Sequence, residues 1–180
     1  MEVELRAKLR NPKKIIQKLT DMGAVKIGQT QYTDYYFGNT DLYEKIGYSF
    51  WIRLRLKGSK VELAYKGSTG KNGVYDEYEQ ELQDLKTSQL ILKKMGLKNE
   101  ITVHKKRISF KVGNISIEID SFRRWGTFIE VEIISNKPDK TKLFELLKSL
   151  GIDKKDIFER GYITLMLEKK KSPFAKWIKN

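Results

Sequence analysis

The chain has 180 residues with no cysteine and one histidine, and its 36 Lys and Arg against 23 Asp and Glu give a net charge of +13. That excludes disulfides, thiolate metal sites, multi-histidine zinc sites and catalysis by a histidine pair, so any metal must sit mainly on oxygen ligands. The charge favours anionic partners: nucleic acid, acidic lipid or a phosphorylated small molecule. An apolar content of 39% supplies one core, and the expected organisation is a single domain over residues 1–170 with a basic tail over 171–180. No run of about 18 apolar residues occurs, and the N-terminus lacks a signal-peptide core, so a cytoplasmic protein with no membrane partner is expected.

Residues 1–10 alternate strictly, with Val3, Leu5, Ala7 and Leu9 on one face and Glu2, Glu4, Arg6 and Lys8 on the other, which is the period of a strand. Asn11-Pro12 then supplies a helix cap and first-turn proline. Ile15, Ile16, Leu19 and Met22 form the apolar stripe of that helix, and Gly23 stops it. Further strand patterns cover 25–37, 49–57, 60–66, 74–82, 100–111, 114–122 and 127–134, making eight strands in all. Turn signals separate them at Lys57-Gly58-Ser59, Gly67-Ser68-Thr69-Gly70 and Gly113-Asn114. Helical spacing recurs over 86–95, 139–150 and 158–170. The class is therefore α+β, dominated by hairpins. Glu-x-Glu recurs at 2/4, 77/79 and 130/132, each followed by a helix ending at Gly23, Gly96 or Gly151, which reads as a repeated strand-helix unit.

The polar faces of these strands carry like charges in pairs: Glu2 with Glu4, Arg53 with Arg55, Glu77 with Glu79, Lys105 with Arg107, and Glu130 with Glu132. Residues two apart on a strand share a face at roughly 7 Å. Their repulsion is about 0.6 kcal/mol in water and several-fold larger in a sheltered site. One such pair is ordinary on a solvated strand, but five point to a charged interior. Acidic pairs on some strands and basic pairs on others are what a closed eight-stranded antiparallel barrel needs if its lumen holds metal on carboxylates and a phosphate chain on Arg and Lys. The opposite face is apolar, with Val3/Leu5, Ile52/Leu54/Leu56, Val61/Leu63/Tyr65, Ile117/Ile119 and Ile129/Val131/Ile133 placed to pack under helices. The core then lies outside the barrel wall, the reverse of the usual small barrel.

In order along the chain, Glu2-Val3-Glu4-Leu5-Arg6, Asp34-Tyr35-Tyr36-Phe37, Ile52-Arg53-Leu54-Arg55, Tyr65-Lys66-Gly67, Lys105-Lys106-Arg107, Asp120 and Gly126-Thr127-Phe128-Ile129-Glu130-Val131-Glu132 resemble the motifs of the CYTH superfamily, the triphosphate tunnel metalloenzymes. The resemblance covers residues 2 to about 167. It implies a tunnel with Glu2, Glu4, Asp120, Glu130 and Glu132 around Mg²⁺ or Mn²⁺, Glu77 and Glu79 sharing that role, and Arg53, Arg55, Lys66, Lys105 and Arg107 on the phosphates. It also implies a triphosphate small molecule as substrate: ATP converted to cyclic AMP and pyrophosphate by a class IV adenylyl cyclase, or thiamine triphosphate, inorganic triphosphate or a nucleotide hydrolysed. It suggests a homodimer. A non-catalytic module binding nucleic acid or polyphosphate stays open as the alternative from another class.

Two positions depart from the family pattern. Arg6 stands where lysine is usual and cannot accept a proton, so Lys8, one step along the same face, is the substitute; Glu2, Glu4, Arg6 and Lys8 are the candidate catalytic set. Tyr75 stands where many relatives carry arginine. Gly67-Ser68-Thr69-Gly70-Lys71-Asn72 superficially suggests a phosphate loop, but its glycine spacing is wrong and it joins two strands, so it reads as a hairpin loop. His104 alternates away from Lys105 and Arg107 and reads as a wall residue. Tyr32, Tyr35, Tyr36 and Tyr43 read mainly as packing.

Overall fold

A computed structural model describes residues 2–48, 50–68, 74–137 and 139–172. The expectations placed on the side chain of Tyr75, on residues 69–72 of the hairpin loop and on the tail beyond residue 172 lie outside what is described. Nine strands and five α-helices occur among the described residues, and the strands form a large antiparallel sheet. In chain order the first are β1 (Glu2–Leu9), α1 (Pro12–Asp21), β2 (Val25–Gly38), α2 (Thr40–Ile46), β3 (Phe50–Lys57), β4 (Lys60–Ser68) and β5 (Val74–Leu82). There follow α3 (Leu85–Lys94), β6 (Lys98–Val112), β7 (Ile115–Phe122), β8 (Gly126–Ile134), α4 (Thr141–Ser149), β9 (Ile157–Phe158) and α5 (Tyr162–Lys169). No helix among the described residues is long and apolar enough to cross a membrane. The chain divides into two compact units, Met1–Thr30 with Lys105–Arg160 and Gln31–His104 with Gly161–Asn180.

In the first unit the strand order is β6-β7-β8-β1-β9. Strict alternation in β1 buries Val3, Leu5 and Ala7, which meet Ile117 and Ile119 of β7 and Ile129, Val131 and Ile133 of β8 in one core. Two helices cover that apolar face: α1 contributes Ile15 and Leu19, and α4 contributes Leu143, Leu146 and Leu147. As the sequence predicts, α1 begins at Asn11, whose Oδ1 accepts from the Lys14 amide at 3.2 Å, and it is left through Gly23 at a φ of +78°. The charged residues therefore occupy the other face of the same strands.

In the second unit the order is β5-β4-β3-β2-β6. Its apolar face gathers Phe37, Leu54 and Val61 with Leu92 and Leu97, and α3 covers it. Tyr65 stacks on Phe50 with centroids 5.3 Å apart. The Tyr65 ring lies across Gly67 so closely that a Cβ there would meet the tyrosine hydroxyl at 2.5 Å.

Two elements differ from the expected set. The α2 helix, capped by Asn39 and ended by Gly47 at φ +78°, is additional. The helix expected over 158–170 begins only at Tyr162, and the residues before it form β9, whose Ile157 and Phe158 pair with Ala7 and Arg6 of β1.

Candidate functional site

On the polar face of the first unit, register sets the chemistry. Glu4 of β1 stands opposite Glu132 of β8, and Arg6 opposite Glu130. On the other side of β8, Glu130 faces Glu118 and Glu132 faces Ser116 of β7. Carboxylate oxygens of Glu2, Glu4 and Glu132 lie within 4.8 Å of one another. Burial pushes the Glu132 carboxyl above its ordinary range, the neighbouring Glu130 and Glu4 push the same way, and a hydrogen bond with Glu2 offsets part of this. Burial likewise raises the Glu118 carboxyl, although Arg107 and the Ser109 hydroxyl, which donates to Glu118 Oε2 at 2.6 Å, pull it back.

Beside this acidic end lies a neutralised layer. Asp120, fully buried, accepts from Lys105 Nζ at 3.0 Å and from Arg107 Nε and Nη2 at 2.7 and 2.6 Å. Burial opposes its ionisation, but Lys105 and Arg107 outweigh that and hold it below the usual carboxylate range. Glu130 is shared between Arg6, whose Nε donates at 2.5 Å, and Arg107 Nη2 at 3.4 Å. Lys8 is exposed, its ammonium 5.9 Å from the centroid of the Phe128 ring. Phe128 in turn packs edge-on against Phe122 and Phe158.

The polar face of the second unit repeats the theme. Cross-strand register places Tyr36 beside Arg53, Asp34 beside Arg55 and Lys66 beside Glu77. Arg53 Nη2 reaches Glu79 at 2.6 Å, Glu62 at 2.9 Å and Glu77 at 3.5 Å, whereas no acceptor for its buried Nε–H exists among the described residues. Arg55 forks onto Asp34 at 2.8 and 3.0 Å and lies 4.7 Å from the centroid of the Tyr32 ring. Lys66 Nζ pairs with Glu77 at 3.0 Å. Burial raises the Glu79 carboxyl, with Arg53 acting against it. Burial, and then Asp34, push the Tyr36 phenol up to about 12, against the opposing pull of Arg53, Arg55 and Lys66. The structure thus sets Glu2, Glu4, Arg6, Lys8, Lys105, Arg107, Asp120, Glu130 and Glu132 on one face of the first unit, and Arg53, Arg55, Lys66, Glu77 and Glu79 on one face of the second.

A family model of the CYTH domain matches residues 1–162. The chain belongs to the CYTH family. CYTH domains are triphosphate tunnel metalloenzymes that need divalent metal. A Methanocaldococcus jannaschii protein named "Putative adenylate cyclase" is 28% identical over 173 residues, covering 92% of this chain and 98% of the relative. A solved Pyrococcus horikoshii structure is similar at a TM-score of 0.81 and 26% identity, covering 92% of this chain and 99% of that one. A Hippeastrum structure, described as a "putative adenylyl cyclase" with a dominant triphosphatase activity, shares the fold at a TM-score of 0.62 and 16% identity, with 95% of each chain covered.

The CYTH residues present here fit a hard divalent cation, because the donors are carboxylate oxygens and like charges face each other at Glu4 and Glu132, a repulsion that a cation relieves. Asp120 and Glu130 engage Lys105, Arg107 and Arg6, and among the described residues they do not join the three-carboxylate group. Two members of these CYTH faces, Glu62 and Glu118, escaped the sequence reading, and Asp34 entered it as part of a motif with no site role. The alternation used for their neighbours also marks them, since Asp34 shares a face with Tyr36, Glu62 with Lys66, and Glu118 with Asp120.

Proposed function

We propose that this CYTH protein is a divalent-metal-dependent enzyme acting on a triphosphate, converting ATP to cyclic AMP and pyrophosphate. The observation that carries the reading is the group of Glu2, Glu4 and Glu132 on the same strand face as Lys105 and Arg107, which combines a cation site with phosphate-binding cations in one unit. The proposal retains the closed eight-stranded barrel expected from the sequence. Mg²⁺ or Mn²⁺ on Glu2, Glu4 and Glu132, with Glu77, Glu79, Asp120 and Glu130 as further acidic groups, would supply positive charge to the phosphate oxygens when bound.

The chain's own cations do the remaining electrostatic work. Arg53 offers a buried Nε–H with no acceptor among the described residues, Arg55 is oriented by Asp34, and Lys66, Lys105 and Arg107 add charge; together they bind the triphosphate and stabilise the leaving pyrophosphate. Cyclisation forms a bond from the ribose 3'-oxygen to the α-phosphorus and breaks the bond to the β-phosphate oxygen. The 3'-hydroxyl proton must leave; Lys8, exposed on β1, would take it in its neutral amine form and then release it to solvent. The second reading is hydrolysis, in which water attacks the terminal phosphate; the Hippeastrum protein carries a dominant triphosphatase activity on the same fold.

Incubation with ATP, thiamine triphosphate and inorganic triphosphate, each with Mg²⁺ or Mn²⁺, followed by chromatography, tests both. Cyclic AMP that disappears in Glu132→Gln is the expected result. Phosphate release without a cyclic product would replace cyclase by triphosphatase. No turnover, with salt-sensitive binding to RNA, would leave a binding module instead.

A further inference from the structure

Arg6 is 4% exposed, in the middle of β1, and each of its three guanidinium nitrogens already engages a protein acceptor. Nε donates to Glu130 Oε2 at 2.5 Å, Nη2 pairs with Glu4 Oε1 at 2.5 Å, and Nη1 donates to the Glu159 carbonyl at 3.4 Å. Register accounts for all three. Arg6 lies opposite Glu130 on β8 and opposite Phe158 on β9, one residue before that carbonyl, while Glu4 is its same-face neighbour along β1. Glu4 also stands directly opposite Glu132, an arrangement in which two carboxylates repel each other.

We infer that Arg6 is a positioning residue whose guanidinium fork holds Glu4 in place against Glu132 and so sets the carboxylate group for its divalent cation. The inference rests on the metal-dependent reading above. A guanidinium stays charged at any working pH, so Arg6 carries no proton in the reaction. With its nitrogens on Glu130, Glu4 and the Glu159 carbonyl, it serves the carboxylates and not the phosphates. Lysine at this position would keep the charge but bring one nitrogen, which cannot span Glu4 and Glu130 as the planar fork does. The β9 pairing thereby acquires a role: it presents the backbone acceptor that steadies the far side of the fork.

Because Arg6→Lys preserves net charge, it isolates geometry from electrostatic attraction. Mn²⁺ binding without nucleotide, read from the paramagnetic resonance of the free ion, should weaken about 10-fold or more in Arg6→Lys, the effect of losing a residue that orients a metal ligand. Circular dichroism should show the same secondary structure as the wild type. Wild-type affinity in Arg6→Lys would overturn the inference and leave the metal reading standing, whereas a wild-type protein that binds no Mn²⁺ would overturn both. A second measurement needs no variant. In ¹⁵N-labelled wild type, the Arg6 Nε–H resonance should stay protected from solvent exchange and unshifted when inorganic triphosphate is added to the Mg²⁺-loaded protein; a shift at that step would make Arg6 a phosphate ligand and overturn the inference.

Discussion

At Asp120, burial and ion pairing pull in opposite directions and pairing wins. The carboxylate is fully buried, yet Lys105 and Arg107 hold it ionised below its ordinary value of 3.8. A folded value below the unfolded one means that the group stabilises the fold above about 3.8, and that this contribution disappears as the pH falls through the lower folded value. Glu132 and Glu118 have the opposite sign: their raised folded values favour the fold in acid, and that advantage is lost as the pH rises through them. Asp120→Asn should cost about 3 kcal/mol at neutral pH by urea unfolding, because it removes the carboxylate that pairs with buried Lys105 and half-buried Arg107. Its stability should also fall less steeply with acid below pH 3.8 than the wild type's. Sequence alternation puts Asp120, Lys105 and Arg107 on one face. That the aspartate lies between the two cations follows from the β6–β7 register, in which Arg107 opposes Asp120 and Lys105 opposes Phe122, and one strand's pattern does not fix register with another.

Among the elements, the strands and the longer helices were legible because each shows enough repeats to reveal its period, while α2 and β9 were not. The seven residues of α2 hold Leu42, Tyr43 and Ile46, too few for a stripe, although Asn39 and Gly47 mark its two ends in the sequence. Two residues cannot show a period at all, so β9 is visible only through its partner β1. Asn39 does two jobs: Oδ1 accepts from the Leu42 amide at 3.0 Å, and Nδ2 donates to the Gly96 carbonyl at 2.9 Å, tying the start of α2 to the end of α3. Asn39→Ala should therefore lower stability by about 1 to 2 kcal/mol, while Asn39→Ser, which can still cap, should recover part of it in thermal unfolding.

For the whole molecule, the net charge of +13 separates two kinds of anion binding. Charge spread over the surface is screened within about 10 Å at 0.1 M salt. Cations gathered on a sheltered face are screened much less. Raising NaCl from 50 to 200 mM should abolish most RNA binding and slow association of a triphosphate, while the equilibrium affinity for triphosphate with metal falls by less than 10-fold, as read by titration calorimetry. An equal loss for RNA and triphosphate would mean that both bind through diffuse surface charge. At this scale the sequence reading was sound in one respect above all: β1, β3, β4, β7 and β8 each back a charged face with apolar residues that enter the cores covered by α1, α4 and α3.

The Tyr65 ring over Gly67 bears on how this protein behaves in concentrated solution. The space a side chain would take at Gly67 is filled by the preceding tyrosine, which in turn covers Phe50, and Tyr78 beside it is already 70% exposed. Even the methyl of alanine at residue 67 would turn Tyr65 off Phe50 and leave adjoining aromatic rings facing water, the kind of patch through which folded molecules stick together. Lys66 points to the opposite face and keeps its place beside Glu77. Gly67→Ala should thus first appear as a solubility defect, with light scattering rising at concentrations where the wild type stays clear and with triphosphate binding in dilute samples little changed. Its glycine, then, answers to a neighbouring ring and to colloidal behaviour, and not to the phosphate chemistry of the lysine next to it.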